Sequence, residues 1–247
     1  MNIILFEEIP QFIPLTDQRG RHLKKVLKAQ AGACLKAGLV NGPLGTLCIE
    51  AVETDGYRVS WRESGPVVGL YPLTLLVGFV RPISVKRILR EAASLGVERL
   101  IFTVTDTGER SYREANLWKT GEYREYLING LQTAGGTVLP AVELCGGLRE
   151  ALELVEGESV PGVGAAEPAA RLVLDNVGSG RPLAELGLAG LRSVTLAVGS
   201  ERGWSERERG LFRQAGFESV SLGSRVLRTE TACSAGAALA LARMGLL

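Results

Sequence analysis

The chain has 247 residues, 46% hydrophobic and 22% charged, with a formal net charge of +1. This is ordinary globular composition, and it excludes a disordered or fibrous chain and any global electrostatic pull on nucleic acid. The longest apolar stretches, Leu73 to Val80 and Ala235 to Leu241, are far short of the about 18 residues a membrane span needs. With no secretory leader evident, the cytoplasm is the expected compartment and no membrane partner is expected.

In chain order, Ile3 to Phe6, Cys34 to Leu39, Thr46 to Val52 and Tyr57 to Trp61 read as short strands, with turns at Asn41-Gly42-Pro43 and Asp55-Gly56. A short helix is expected from His22 to Lys28, so the first seventy residues suggest a small β-barrel. Five Lys or Arg and no acid occupy positions 19 to 28. Arg19, Arg21, His22, Lys24, Lys25 and Lys28 are therefore candidate RNA contacts, although a solvated helix face would carry the same charges. Ser64-Gly65-Pro66 reads as a linker.

Strand and helix then alternate. Leu73 to Val80 suits a buried strand, Ser84 is placed to cap a helix whose apolar residues repeat as far as Leu95, and Leu100 to Val104 forms the next strand. A parallel pair with a crossover helix follows from that order. Helices are expected over Leu117 to Leu131 and Leu148 to Val155, a surface loop between Glu156 and Ala170, and strands at Arg171 to Leu174 and Val194 to Val198. Ser205-Glu206-Arg207-Glu208 is a capping box for a helix running to Ala215, with Gly216 just beyond. A strand from Val220 to Leu222 precedes an apolar helix over Ala232 to Met244, with Thr229 or Thr231 as its cap.

Cys34, Cys48, Cys145 and Cys233 are scattered without a Cys-x-x-Cys pair and are expected as reduced, mostly buried thiols. With His22 the single histidine, no metal site and no Ser-His-Asp triad is expected. Two glycine-bearing loops, Val198-Gly199-Ser200-Glu201-Arg202-Gly203 and Ser221-Leu222-Gly223-Ser224-Arg225-Val226-Leu227-Arg228, each leave an apolar run and lead to a helix. Such loops bring backbone groups close to a small ligand.

Four motifs in order resemble the bacterial 16S ribosomal RNA uridine-N3 methyltransferases of the SPOUT class. They are Arg21-His22-Leu23-x-x-Val26-Leu27-Lys28, Arg90-Glu91-Ala92-Ala93-Ser94-Leu95-Gly96-Val97, Glu109-Arg110-Ser111 and, most specific, Leu222-Gly223-Ser224-Arg225-Val226-Leu227-Arg228-Thr229-Glu230-Thr231-Ala232. The resemblance implies an α/β fold: a PUA-like β-barrel for RNA over residues 1–68, then a SPOUT α/β domain over 72–247 with a parallel sheet and a C-terminal trefoil knot. It also implies S-adenosylmethionine as cofactor, 16S rRNA or the small ribosomal subunit as substrate, and a homodimer paired through the knotted region.

On this resemblance, Leu174, Val198, Gly199, Ser200, Glu201 and Gly203 hold the cofactor with Leu222, Gly223, Val226, Leu227, Arg228, Thr231 and Ala232. Uridine N3 becomes nucleophilic only as its proton leaves, so the site needs a proton acceptor or cations for the developing oxyanion. Arg110 and Arg228 are the candidate cations. Glu230 would take the proton or hold a neighbouring arginine, and as an acid in a first helical turn it also complements the helix dipole.

Three departures stand out. Relatives usually read Gly-Pro-Glu-Gly-Gly where this chain has Gly199-Ser200-Glu201-Arg202-Gly203, so Arg202 is costly if its position needs a positive φ. Gln132-Thr133-Ala134-Gly135-Gly136-Thr137 lacks an arginine usual after the glutamine, a charge that Arg202 is placed to replace. Arg81-Pro82 stands where a lysine-containing stretch is usual. A family member that binds RNA without catalysis, and one acting on another RNA such as tRNA, stay open as alternatives.

Overall fold

The computed structural model describes residues 2–67, 69–157, 169–178 and 180–247. The chain divides into two compact units: one comprises the residues up to Gly69 with Ile128–Leu139, the other Leu70–Leu127 with Pro140–Leu247.

In the first unit, β1 (Ile4–Phe6) and β2 (Phe12–Pro14) precede α1 (Gln18–His22), which continues into a π-type turn over Leu23–Leu27. β3 (Cys34–Leu39), β4 (Leu44–Val52) and β5 (Gly56–Gly65) complete a five-stranded sheet in the order β1-β3-β4-β5-β2. It is the mixed, barrel-like sheet the strand pattern predicts: β1 and β3 run parallel, and the other pairs are antiparallel. Alternate residues of β4 point inward, so Leu47 and Ile49 join Phe6, Ile13 and Leu23 in the core. The helix begins before the expected His22, because Asp17 caps it by accepting the Arg19 N–H at 2.7 Å. β2 was not expected, and β5 runs on through the expected linker to Gly65.

The expectation of four reduced thiols is overturned. The β3/β4 register sets Cys34 opposite Cys48, their Cα atoms 4.1 Å apart, and the two form a disulfide. Facing cross-strand positions bring the two Cβ atoms together, and sequence spacing does not reveal that register. Cys145 and Cys233 are free and buried.

Ile128–Leu139 closes the first unit. The Gln132 carbonyl accepts the Asn2 and Ile3 N–H groups at 2.8 and 3.1 Å, and its Oε1 accepts the Leu5 N–H at 3.2 Å. The Asn41 N–H donates to the Thr137 carbonyl, and the Asn41 side chain accepts the Leu139 N–H.

The second unit begins with β6 (Tyr71–Gly78), α2 (Pro82–Ser94) and β7 (Val97–Thr103), the expected parallel pair with its crossover helix. A 3-10 turn at Arg110–Glu114, α3 (Asn116–Lys119), α4 (Tyr123–Ala134, its residues from Ile128 belonging to the first unit), β8 (Ala141–Cys145), α5 (Leu148–Glu156) and β9 (Ala169–Leu174) follow. The unit ends with β10 (Ser193–Val198), α6 (Glu206–Gln214), β11 (Glu218–Val220) and α7 (Thr229–Met244). The sheet is parallel throughout, ordered β11-β9-β10-β6-β7-β8. Its central strands are buried along their length because helices cover both faces. Residues of α5 and α6 pack with Leu76, Ile101 and Val173 in one cluster. On α7, Gly236 approaches so closely that a Cβ there would lie 2.8 Å from Leu196 and 3.1 Å from Leu174.

Several boundaries differ from expectation. α2 starts at Pro82, whose missing N–H is harmless at a first helical position, and Ser84 caps nothing. Gly121, at φ +75°, divides the expected Leu117–Leu131 helix into α3 and α4. The expected strand from Val220 to Leu222 ends at Val220, after which Ser221 bridges to Pro182. α7 begins at Thr229 with Arg228 as N-cap, so neither threonine caps it. Of the loop expected between Glu156 and Ala170, residues 158–168 lie outside the described residues, and β9 already begins at Ala169.

Candidate active site

In a parallel sheet, strand ends open toward one edge where loops can hold a ligand. Here the carboxyl ends of β9, β10 and β11 surround a cavity of about 500 Å³ in the second unit, within the range of small-molecule sites. Leu174, Val198, Gly199, Ser200, Glu201 and Gly203 line one side. Leu222, Val226, Leu227, Arg228, Glu230 and Ala232 line the other. All twelve were expected from the sequence. Gly223 and Thr231 lie on the same segment but not on the cavity wall, and Arg110 stands exposed in the turn after β7, also off the wall.

The first loop is locked by its neighbours. Ser200 and Gly203 bridge each other, with the Gly203 N–H donating to the Ser200 carbonyl at 2.9 Å. From beyond β7, Thr105 donates to Ser200 Oγ at 3.1 Å and Thr107 donates to the Gly203 carbonyl at 2.8 Å. Thr229, the first residue of α7, donates to the Gly199 carbonyl at 3.2 Å. The loop's only positive φ falls on Gly203, at +68°, and Arg202 is not among the residues with one. The position does not require a positive φ, so Arg202 carries no such strain, and its side chain is exposed and off the cavity wall. Gly199 is constrained by space instead, since a Cβ there would stand 2.9 Å from the Gly203 Cα.

Sequence reasoning missed part of the lining: Asp175 and Asn176 after β9, Val220, Ser221 and Arg225 around the second loop, Arg81 and Ser84 at the start of α2, and Thr229. Their signal was position, because each follows or flanks a strand end that the sequence had located. Asp175 is half-buried, its side chain 7% accessible, and is held by Arg209, with Oδ2 2.5 Å from Nε and Oδ1 3.3 Å from Nη2. Trp204 donates its indole N–H to the Leu174 carbonyl at 3.3 Å. The Arg81 backbone N–H donates to Glu201 Oε1 at 3.1 Å.

Glu230 is buried at the start of α7, and the arginine beside it is Arg87 of α2, at 3.6 Å. Behind the first loop, Glu208 completes the predicted capping box, accepting the Ser205 N–H and, through its other oxygen, the Asp106 N–H. Asp106 in turn binds Arg207 and Ser205. The Arg207 guanidinium, aided by the Ser205 hydroxyl, holds the Asp106 carboxyl below the usual carboxylate range. Cys233, buried on α7, has its thiol pushed up by burial, and burial likewise raises Cys145 to about 11. Among the described residues no group of His, Cys, Asp and Glu is arranged to hold a metal ion.

In the first unit, Arg21, Lys24, Lys25 and Lys28 are exposed. Arg19 is committed elsewhere, ion-paired with Asp17 at 2.6 Å and placed over the Phe6 ring at 4.6 Å. His22 is half-buried. Gln132, at the second departure, is spent on the backbone of β1 and the residues before it.

A family profile described as an RNA methyltransferase domain matches residues 69–241, which contain the whole cavity. The ribosomal RNA small subunit methyltransferase E of Treponema pallidum is 40% identical, over 98% of this chain and 91% of its own. The chain belongs to the ribosomal RNA small subunit methyltransferase E family. A second member, the methyltransferase E 1 of Borreliella burgdorferi, is 29% identical over 99% of both chains. The crystal structure of the Neisseria gonorrhoeae member bound to S-adenosyl methionine superposes with a TM-score of 0.74 at 22% identity, covering 98% of this chain and 97% of that one. Family membership thus rests on sequence along essentially the full length, and the fold agrees. No helix among the described residues is long and apolar enough to cross a membrane.

Proposed function

We propose that this protein methylates N3 of a uridine in the 16S rRNA of the small ribosomal subunit, in the cytoplasm, using S-adenosylmethionine. The observation that carries this reading is the coincidence of the family's most specific motif, Leu222 to Ala232, with one wall of the cavity at the strand ends. The residues present fit the cofactor: the cavity accommodates a nucleoside, its walls offer backbone groups of two loops, and Gly203 on the wall leaves room for close approach. Leu174, Val198 to Glu201, Gly203, Leu222, Val226, Leu227, Arg228 and Ala232 would hold it. When bound, S-adenosylmethionine supplies a methyl group already activated on a sulfonium, so no metal is required.

The chain's own task is placement and charge. Arg228, exposed on the wall, stabilises the negative charge that develops on the uracil oxygen as the N3 proton passes to solvent water, and Arg110 assists from the turn after β7. Glu230 already has Arg87 as its partner, which favours a role in fixing the first turn of α7 over proton abstraction. Two further assignments rest on the family likeness: a trefoil knot, supported by the return of the chain from edge strand β11 to α7 on the central strands, and a homodimer. The exposed Ile83 and Val226 near the cavity, 64% and 81% accessible, suit such a pairing.

The test is incubation of the protein with methyl-labelled cofactor and unmodified small subunits, followed by nucleoside mass spectrometry. N3-methyluridine is the expected product. A different methylated nucleoside would overturn the position, label only in tRNA would overturn the substrate, and cofactor binding without any transfer would leave an RNA binder.

A further inference from the structure

Resting on that reading, we propose that Arg81, Arg202 and Arg225 form a rim at the cavity mouth that grips RNA phosphates flanking the target nucleotide. The three come from separate segments: the N-cap of α2, the loop after β10 and the loop after β11. Arg81 and Arg225 line the cavity, and Arg202 stands between the lining residues Glu201 and Gly203. All three side chains are exposed, and among the described residues none of the three guanidinium groups has a hydrogen-bond or ion-pair partner.

The contrast with nearby arginines is what assigns the role. Arg87 is paired with Glu230, Arg207 with Asp106, Arg209 with Asp175 and Arg213 with Glu206. The carboxylates on the wall are engaged as well: Asp175 by Arg209, Glu230 by Arg87 and Glu201 by the Arg81 backbone. Residues 71–247 carry 20 basic and 20 acidic side chains, so the unit as a whole attracts no polyanion. Three of its unpaired positive charges nevertheless stand where a substrate must enter. Guanidinium groups without a carboxylate partner of their own are free to bind an anion, and the planar guanidinium fork matches a phosphate in two-point contact. The carboxylate of a bound cofactor would occupy one such group at most, whereas a nucleic-acid backbone offers a phosphate on each side of an everted base. Arg202 and Arg81 thereby gain a purpose at two positions where the chain departs from the usual family pattern.

The test measures binding of unmodified small-subunit ribosomal RNA against salt concentration for the wild type, Arg202→Ala, Arg202→Lys and the triple variant Arg81→Ala/Arg202→Ala/Arg225→Ala. S-adenosylmethionine affinity is read on the same samples by calorimetry. The slope of log K against log salt should shrink by about 0.7 for the single variant and by about 2 for the triple. Arg202→Lys should keep the wild-type slope, because the charge is retained. Arg202→Ala should take up cofactor as the wild type does, which shows that it is folded. Unchanged slopes in the triple variant, with wild-type RNA binding intact, would overturn the rim and leave the methyltransferase reading standing. Failure of the wild type to bind either cofactor or RNA would overturn both.

Discussion

Replacing Gly78 with alanine tests the idea that the cofactor loop is positioned by β6 beneath it. A Cβ at position 78 would lie 2.6 Å from the Ser200 backbone nitrogen, 2.8 Å from Thr105 Cγ2 and 3.2 Å from the Gly199 carbonyl carbon. Ordinary contact begins at 3.4 Å, so the loop must retreat by about 0.8 Å. The Thr105 methyl can turn aside, but the Ser200 nitrogen belongs to a backbone held by Gly203 and, through Gly199, by Thr229. Overpacking of this kind costs about 1–3 kcal/mol. For a protein of this size that corresponds to a fall in Tm of roughly 2–12 °C. If the loop moves instead of the whole unit loosening, the loss appears in function, since a misplacement of about 1 Å can lower the rate on the order of 100-fold. Thermal melting, cofactor calorimetry and single-turnover methylation on one preparation separate these outcomes. A Gly78→Ala protein with wild-type Tm, cofactor affinity and rate would refute the reasoning.

Arg209→Ala should destabilise the second unit by about 3 kcal/mol, since it strands the Asp175 carboxylate, which is 7% accessible; chemical denaturation measures it, and a change below experimental error would show that water replaces the guanidinium. Alkylation should find no reactive thiol in the native protein under non-oxidising, non-reducing conditions. Mild reduction should expose two, Cys34 and Cys48, while Cys145 and Cys233 react only after unfolding, because burial keeps their thiols protonated. Two reactive thiols before reduction would contradict the disulfide. Asp106 should titrate below its ordinary 3.8, held there by Arg207. A depressed folded pKa contributes stability above the unfolded value, and that contribution is lost as pH falls below 3.8 through the folded one. Carboxyl chemical shifts followed by NMR should show the Asp106 midpoint rising in Arg207→Ala, and an unmoved midpoint would assign the shift to another group.

The second unit was legible where local chemistry and tertiary demand coincide. The apolar run of β6, the helical repeat of α2 and the Ser205–Glu208 capping box each specify their element without help from distant residues. β2 escaped notice because three residues ending in proline carry no alternation, and β8 because only one of its residues is buried. Gly121 falls inside the expected Leu117–Leu131 helix, yet its left-handed φ ends one helix and aims the next. In the site, twelve residues named from the family likeness line the cavity, whereas Gly223, Thr231 and Arg110 lie off its wall, because a motif marks a segment and not which of its side chains faces inward. Asp175, Ser84 and Arg81 line the wall only because a parallel sheet gathers the ends of strands that are remote in sequence.

The return of Ile128–Leu139 to the first unit bears on how the protein is made. Synthesis delivers the five strands of that unit early, but the N–H groups of Asn2, Ile3 and Leu5 find their acceptors on Gln132, and Asn41 finds its partners at Thr137 and Leu139. Until those residues leave the ribosome the first strand has an unfinished edge, and β6, α2 and β7 emerge before it is sealed. The unit that begins first is therefore completed only after the second has begun, and a fragment cut at Gly69 would lack the segment that closes it.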